Sequence, residues 1–274
     1  MKKTVFALCL AAAALCAAAS AEAAAPYEPV IATFDTEGAD DAALKAFVDS
    51  LQKAVDAGDA TFLKLSVAKD LAIYAPPMGF PHETPPPALA NPDKHPGEQR
   101  LDEAAILMGS PDSDYSRDDV DSMIIDLFGT AIEPQTIGRS RIAGGRLCSP
   151  AEPIFDRDKA LAMAAAADVP PGNLWILSEK TDFHEKPDTS APVIATLPAN
   201  SVVPFVEGSV DAQSTAAGGS QDGAEDGGWY SVALPSGQLG YAFNDASLDF
   251  QAVSVCYGKV DDHWMVTAVI VPTL

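Results

Sequence analysis

The most constraining stretch of this chain runs from Trp229 to Ala242, where apolar or aromatic residues alternate with small or polar ones. Near its centre the tripeptide Pro-Ser-Gly at 235–237 provides a turn in which glycine can adopt a positive φ. The pattern predicts two short antiparallel strands joined as a β-hairpin. A second segment, residues 193–206, has the same order of strand, turn and strand.

The aromatic opening Trp229-Tyr230-Ser231-Val232 and the closing Gly-Gln-Leu-Gly-Tyr-Ala at 237–242 resemble the bacterial SH3-like (SH3b) domain. The resemblance covers residues 174–248. It implies a small β-barrel that binds peptides or cell-wall peptide stems. It also implies a shallow groove surrounded by four aromatic side chains, Phe183, Trp229, Tyr230 and Tyr241.

Strand alternation adds an expectation about these aromatic side chains. We expect Tyr230 and Tyr241 to be exposed, whereas for Trp229 a place in the barrel core is favoured over a place in the groove. His184 stands where the family usually has Arg, so no ligand contact of that Arg is carried over. Residues 208–228 form an insertion rich in Gly, Ser, Ala and Asp, which predicts a solvated acidic loop rather than a calcium site.

The first half of the chain has mainly helical patterns. Apolar residues from Leu44 to Val55 recur at helical spacing, after an aspartate pair and before Gly58. Asp59 is suited to cap a second, short helix with Lys64 and Lys69 on its outer side. An extended run at 67–74 follows, and it ends at the first prolines of a proline-rich segment at 76–96.

Three further helices are predicted before the SH3-like region. They cover residues 100–107, a segment capped by Ser116 and Asp119 that stops at Gly129, and a segment that starts at Asp156. The predicted fold class is α+β, with a mostly helical N-terminal region, an SH3-like barrel and a C-terminal β-hairpin. The corresponding divisions are a signal peptide at 1–21, the helical region at 22–172, the barrel at 173–248 and the hairpin at 249–274.

The two ends of the chain also resemble the nuclear transport factor 2-like superfamily. Residues 45–75 show the first part of the resemblance, a helix, a Gly-Asp turn, a second helix and a strand. Residues 252–271 show the second part, a strand, an acidic turn and a strand that begins with Trp. This resemblance implies, as an alternative function, a small-molecule pocket between the first helix and the last hairpin. It would bring Phe47, Tyr74 and Trp264 together.

The start of the chain has the features of a secretory signal peptide. Lys2 and Lys3 precede a short apolar run, and small residues follow at 19–23. We therefore expect an exported protein without a membrane span, in the periplasm if the host has two membranes. Loss of the two lysines would take the formal charge from −22 to −24. Such a charge disfavours nucleic acid as a partner. The partner that the SH3-like resemblance implies is a cell-wall peptide or a protein in the envelope.

Two cysteines, Cys148 and Cys256, remain after the predicted signal peptide. In an oxidising compartment a disulfide between them is favoured over two separate thiols. Such a bond would tie the end of the first half to the C-terminal hairpin. A redox role is disfavoured because neither cysteine belongs to a Cys-x-x-Cys pair.

No set of residues in the sequence indicates catalysis, a cofactor or a metal. The sequence lacks a Gly-x-Ser-x-Gly elbow and a His-Glu-x-x-His motif, and His82 and His95 lie in the proline-rich segment without a regularly spaced third ligand. One basic patch at 138–146 contains three arginines that could clamp an anion. Neutralisation of nearby carboxylates within the fold is the favoured interpretation. We expect a non-catalytic binding protein.

Overall fold

The computed structural model describes residues 24–77, 85–109, 113–206, 228–243, 247–248 and 253–273. The predicted signal peptide, His82 and the acidic residues of the 208–228 insertion lie outside these ranges. The described part of the chain contains both helices and strands, so the α+β class is confirmed. No described helix combines the length and the apolar character needed to cross a membrane.

Five α-helices and fifteen strands are seen within these residues. The helices are α1 (Ala42–Ala57), α2 (Ala60–Leu65), α3 (Gly97–Ile106), α4 (Arg117–Ile132) and α5 (Arg157–Ala166). The strands of the first half are β1 (Val30–Ile31), β2 (Thr33–Phe34), β3 (Val67–Tyr74), β4 (Gly138–Ser140), β5 (Arg146–Ser149) and β6 (Pro153–Ile154). The later strands are β7 (Leu174–Leu177), β8 (Thr181–His184), β9 (Val193–Leu197), β10 (Ser201–Pro204), β11 (Trp229–Ala233), β12 (Leu239–Phe243), β13 (Ser247–Leu248), β14 (Ser254–Val260) and β15 (His263–Ile270).

The helix ends follow the capping residues in the sequence. The side chain of Asp41 accepts from two backbone N–H groups at the start of α1, and Gly58 ends that helix in the left-handed conformation at φ 67°. Asp59 caps α2, as predicted. The predicted stop of α4 at Gly129 is wrong, because the helix continues to Ile132, which is buried with the rest of the main core.

A five-stranded sheet in the order β3-β15-β14-β5-β4 organises the first half of the chain. The C-terminal hairpin β14–β15 lies at its centre, between β5 on one side and a parallel β3 on the other. Helices α1 and α4 pack on one face around a core that includes Leu51, Phe128 and Tyr257. The mostly helical N-terminal region thus shares one sheet with the last strands of the chain.

Two smaller sheets form the region between α5 and the C-terminal hairpin. One has the order β1-β10-β7-β13 and the other has the order β11-β12-β8-β9. Residues 193–206 are not a hairpin: β9 pairs with β8, whereas β10 pairs with β7 and β1. A bridge between Phe205 and Val232 joins the sheets, but the described strands do not close into a barrel.

Candidate functional site

The outer face of the β11–β12–β8 sheet presents a group of ring side chains. We call Trp229, His184, Tyr241 and Phe243 the aromatic patch. The ring centroid of Trp229 lies 5.4 Å from that of Phe243 and 5.7 Å from that of His184. Phe243 is 54% exposed, and the other three side chains are half-buried. Such a surface can contact apolar groups and the edges or faces of other rings.

Strand register places these side chains together. Trp229 is directly opposite Phe243 in the β11–β12 pair, and Tyr241 is directly opposite His184 in the β12–β8 pair. Opposite residues in an antiparallel pair project from the same face, and residues two apart on one strand share that face as well. Continuous pairing of β11 with β12 holds Trp229, Tyr241 and Phe243 on regular strands, and the pair Tyr241–His184 adds His184 from β8.

Two of the four predicted groove residues lie in the core. Phe183 is fully buried and Tyr230 is 9% exposed, and their rings meet edge to face at a centroid distance of 6.4 Å. The ring centroid of Tyr230 also lies 6.1 Å from that of Trp175. The ring of Trp175 is stacked on that of Phe205, with 4.2 Å between the centroids. The expected exposure of Tyr230 is therefore wrong.

The other two predicted residues share the opposite face of the same sheet. Trp229 is adjacent to Tyr230 on β11 and therefore projects away from the core, so the expectation that it is a core residue is wrong. Tyr241 is half-buried on the outer face, in agreement with the expectation that it is accessible. The structure thus brings Trp229 and Tyr241 together and separates them from Phe183 and Tyr230.

Partial burial raises the pKa of Tyr241, so its hydroxyl remains protonated around neutral pH and can donate a hydrogen bond. The Nδ1 atom of His184 lies 2.8 Å from the carbonyl oxygen of Ala191. Because a carbonyl only accepts, Nδ1 carries the proton, and Nε2 is the acceptor in the neutral ring. The patch combines ring surfaces with one donor and one acceptor, and it holds no carboxylate or thiol.

His184 and Phe243 belong to the patch but were not predicted as site residues. Phe243 lies two residues beyond Tyr241, so strand alternation alone places the two on one face. His184 directly follows the strongly apolar Phe183, so simple alternation places it on the other face, although the β8–β9 register shifts between these two residues. Strand alternation in the sequence could therefore have predicted both residues on the outer face, once the inward side of each strand was known.

The second predicted site, between the first helix and the last hairpin, is only partly assembled. Phe47 and Trp264 both pack against the main core, and Phe47 meets the buried ring of Tyr257 at 6.2 Å. Tyr74 instead packs beside the disulfide in a separate cluster on the other face of the sheet. The expectation that Phe47, Tyr74 and Trp264 line one pocket is wrong, because Tyr74 alternates with the inward-facing Ile73 on β3.

The three arginines of the basic patch make contacts within the fold. Arg139 donates to the carbonyl of Gly145 at 3.0 Å, and Arg146 donates to the carbonyl of Ala143 at 2.8 Å. Arg141 pairs with the carboxylate of Glu152 at 2.9 Å. Neutralisation of a carboxylate, the favoured interpretation, is thus seen for Arg141, whereas Arg139 and Arg146 bond to backbone carbonyls.

Cys148 and Cys256 form a disulfide across the β5–β14 pair, as predicted. Both are fully buried in a cluster with Ala143, Ala268 and Ile270. Across the described ranges, no group of three or more His, Cys, Asp or Glu side chains is placed to hold a metal ion.

Comparisons of this chain with protein families, with curated proteins and with solved structures gave no match.

Proposed function

We propose that this protein is an exported, non-catalytic binding protein of the periplasm that recognises a cell-wall peptide or an envelope protein. The SH3-like region, residues 173–248, carries the binding site. Within it the aromatic patch is the ligand-binding surface. The observation that supports the proposal most directly is the presence of Trp229 and Phe243 as neighbouring, accessible rings on paired strands.

Rings in such a setting are suited to binding because a side chain on a regular strand loses little conformational freedom when a ligand covers it. Aromatic side chains dominate the binding energy of many interfaces for this reason. The patch lies on a protein of formal charge −22, which attracts cationic groups. A peptide amine over the indole of Trp229 would gain a cation–π interaction as well.

Sedimentation with purified peptidoglycan tests the proposal. We expect the wild-type chain to pellet with the cell wall, and a Trp229→Ala/Tyr241→Ala double variant to bind at least about 10-fold more weakly. Both substitutions lie on the outer face, so the core around Phe183 should stay folded. Thermal unfolding of the variant verifies this.

A matched control is Phe62→Ala, which removes an exposed ring from α2 in the other half of the chain. This variant should pellet like the wild type. Wild-type protein that stays in the supernatant would contradict a cell-wall ligand. Equal losses for both variants would show that the patch has no special role.

A further inference from the structure

A short segment near the start of the described chain crosses over and lies on the SH3-like region. We call residues 24–31 the strap. Its Tyr27 hydroxyl donates to the carbonyl oxygen of Ala233 at 2.6 Å, although the two residues are 206 positions apart. The Tyr27 backbone N–H donates to the carbonyl oxygen of Pro235 at 3.1 Å. The strap is thus held by the β11–β12 hairpin rather than by its neighbours in sequence.

The strap lies in a groove with three identifiable walls. Tyr27 and Val30 belong to one apolar cluster with Met163 of α5 and with Val202 of β10, in the β7–β10 sheet. The hairpin turn closes one end of the groove, where a Cβ added to Gly237 would come within 2.1 Å of the strap carbonyl of Ala24. Only a glycine permits so close an approach of another backbone.

Main-chain pairing supplies the rest of the contact. Val30 and Ile31 form β1, which pairs with Val202 and Ser201 of β10. Because β1 is the outermost strand of its sheet, β10 would become the edge strand if the strap left. An exposed edge offers unpaired N–H and C=O groups to any extended peptide, which is how peptides add to sheets.

The strap also has the character of a peptide ligand. Pro26 and Pro29 flank the pair Tyr27-Glu28, and each proline biases the residue before it toward an extended backbone. Tyr27 is the one aromatic anchor of the segment, and burial raises the pKa of its hydroxyl. Glu28 adds an exposed ion pair with Lys159 of α5 at 2.6 Å.

We propose that this groove is a peptide-binding site and that the strap is the ligand it holds in cis. Its partner in trans is an extended protein segment that carries a tyrosine between prolines and adds a strand to β10. A tethered ligand acts at an effective concentration in the millimolar range, so the strap excludes weaker competitors until it is displaced. The site shares no residue with the aromatic patch and does not depend on the function proposed above.

Competition between the strap and a free peptide tests this proposal in the full mature chain. The probe is a fluorescein-labelled peptide with the sequence of residues 24–34, and the readout is fluorescence anisotropy. Wild-type protein should bind the probe poorly because its own strap fills the groove. A Tyr27→Ala variant loses the anchor of its strap, and we expect it to bind the probe at least about 10-fold more tightly than the wild type.

A peptide in which the tyrosine is replaced by alanine is the matched control, and it should bind the Tyr27→Ala protein at least about 10-fold more weakly than the probe. Equal binding of the two peptides, or no binding by a folded Tyr27→Ala protein, would overturn the proposal. If the Tyr27→Ala protein does not fold, the Tyr27→Phe variant provides the test, since it removes only the hydrogen bond from the hydroxyl to the carbonyl of Ala233. This variant must bind the probe more tightly than the wild type does, and equality refutes the proposal.

The oligomeric state of the wild-type chain provides an independent check. A monomer in sedimentation velocity agrees with a strap seated in cis. A dimer in which the strap sits on a second copy would overturn the assignment of a peptide partner. Peptidoglycan binding is irrelevant to either outcome, so failure of the function proposed above is distinguishable from failure of this proposal.

Discussion

A single buried lysine, Lys64, connects three helices of the first half. Its side chain is 7% exposed, and its Nζ atom lies 2.8 Å from Asp102 of α3 and 2.5 Å from Asp121 of α4. The sequence pattern predicts Lys64 on the outer side of α2, and this is wrong because α3 and α4 cover it. A buried charge is tolerated only when it is paired, and here two carboxylates share the cation.

Replacement of Lys64 by an apolar residue should destabilise the folded protein. We expect Lys64→Met to lower the free energy of unfolding by about 1–3 kcal/mol, because it removes the buried cation that Asp102 and Asp121 share. The exposed Arg117 remains, with its Nε atom 3.7 Å from Asp121. Lys69→Met, at an exposed position, is the matched control and should change stability by less than about 0.5 kcal/mol. Urea unfolding measures both. The same loss in the two variants would contradict the account.

Adding Asp121→Asn to the Lys64→Met variant should recover part of the lost stability. This substitution removes one of the two charges that repel each other. The double variant therefore separates charge repulsion from loss of packing around the lysine stem.

The residue scale also shows what the sequence could not decide. Alternation along β11 fixes that Trp229 and Tyr230 lie on opposite faces, but it does not say which face is the inner one. That choice depends on Trp175 and Phe183, which come from strands about fifty residues away and pack on Tyr230. Local pattern therefore predicted Trp229 and Tyr241 of the patch, but not the burial of Tyr230 and Phe183.

At the scale of elements, α4 is the helix whose start is best defined. The Ser116 side chain accepts from the Asp119 N–H at 3.3 Å, and the Asp119 carboxylate accepts from the Ser116 N–H at 2.9 Å. These reciprocal bonds form the predicted capping box. Hydrogen bonds from the Ser116 side chain and backbone hold the pKa of Asp119 below its usual range.

Ser116→Ala should weaken this start. We expect a loss of about 1 kcal/mol in unfolding free energy and a rise of the Asp119 pKa toward its ordinary value. A carboxyl group with a lowered folded pKa adds stability above its unfolded pKa and loses it as pH falls through the folded pKa. The variant should therefore lose less stability on acidification. NMR titration of the Asp119 carboxyl measures the shift, and an unchanged pKa would contradict it.

Elements differ in how far the sequence specifies them. Several helix ends and the hairpins β11–β12 and β14–β15 were predictable because caps, turns and alternation act over a few residues, as Asp41 and Gly58 illustrate for α1. The partners of β9 and β10 were not, because both strands pair with distant segments rather than with each other. The β1 strand was missed for the same reason, since two residues carry no period.

At the scale of the whole molecule, the disulfide encloses most of the second half of the chain. Cys148 and Cys256 are 108 positions apart, and the loop between them contains α5 and every strand of the two smaller sheets except β1. Closing so long a loop restricts the unfolded chain strongly. The bond therefore stabilises the folded protein chiefly by lowering the conformational entropy of the unfolded chain.

Removal of the bond gives the corresponding prediction. A Cys148→Ala/Cys256→Ala variant should lose about 2–5 kcal/mol of unfolding free energy relative to the oxidised wild type. Alanine suits the site because its neighbours are Ala143 and Ala268. Guanidinium unfolding of the two proteins, with the wild type also measured after reduction, checks the value. Identical midpoints for all three samples would contradict a stabilising bond.

The position of the C-terminal hairpin at the centre of the five-stranded sheet determines the order in which the chain can fold. Strands β3 and β5 do not pair with each other, and they are joined in one sheet only through β14 and β15, which come much later in the chain. Contacts between such distant segments slow folding. The sheet of the first half is therefore incomplete until β14 and β15 are in place, and until then the edges of β3 and β5 are open to proteases and to aggregation.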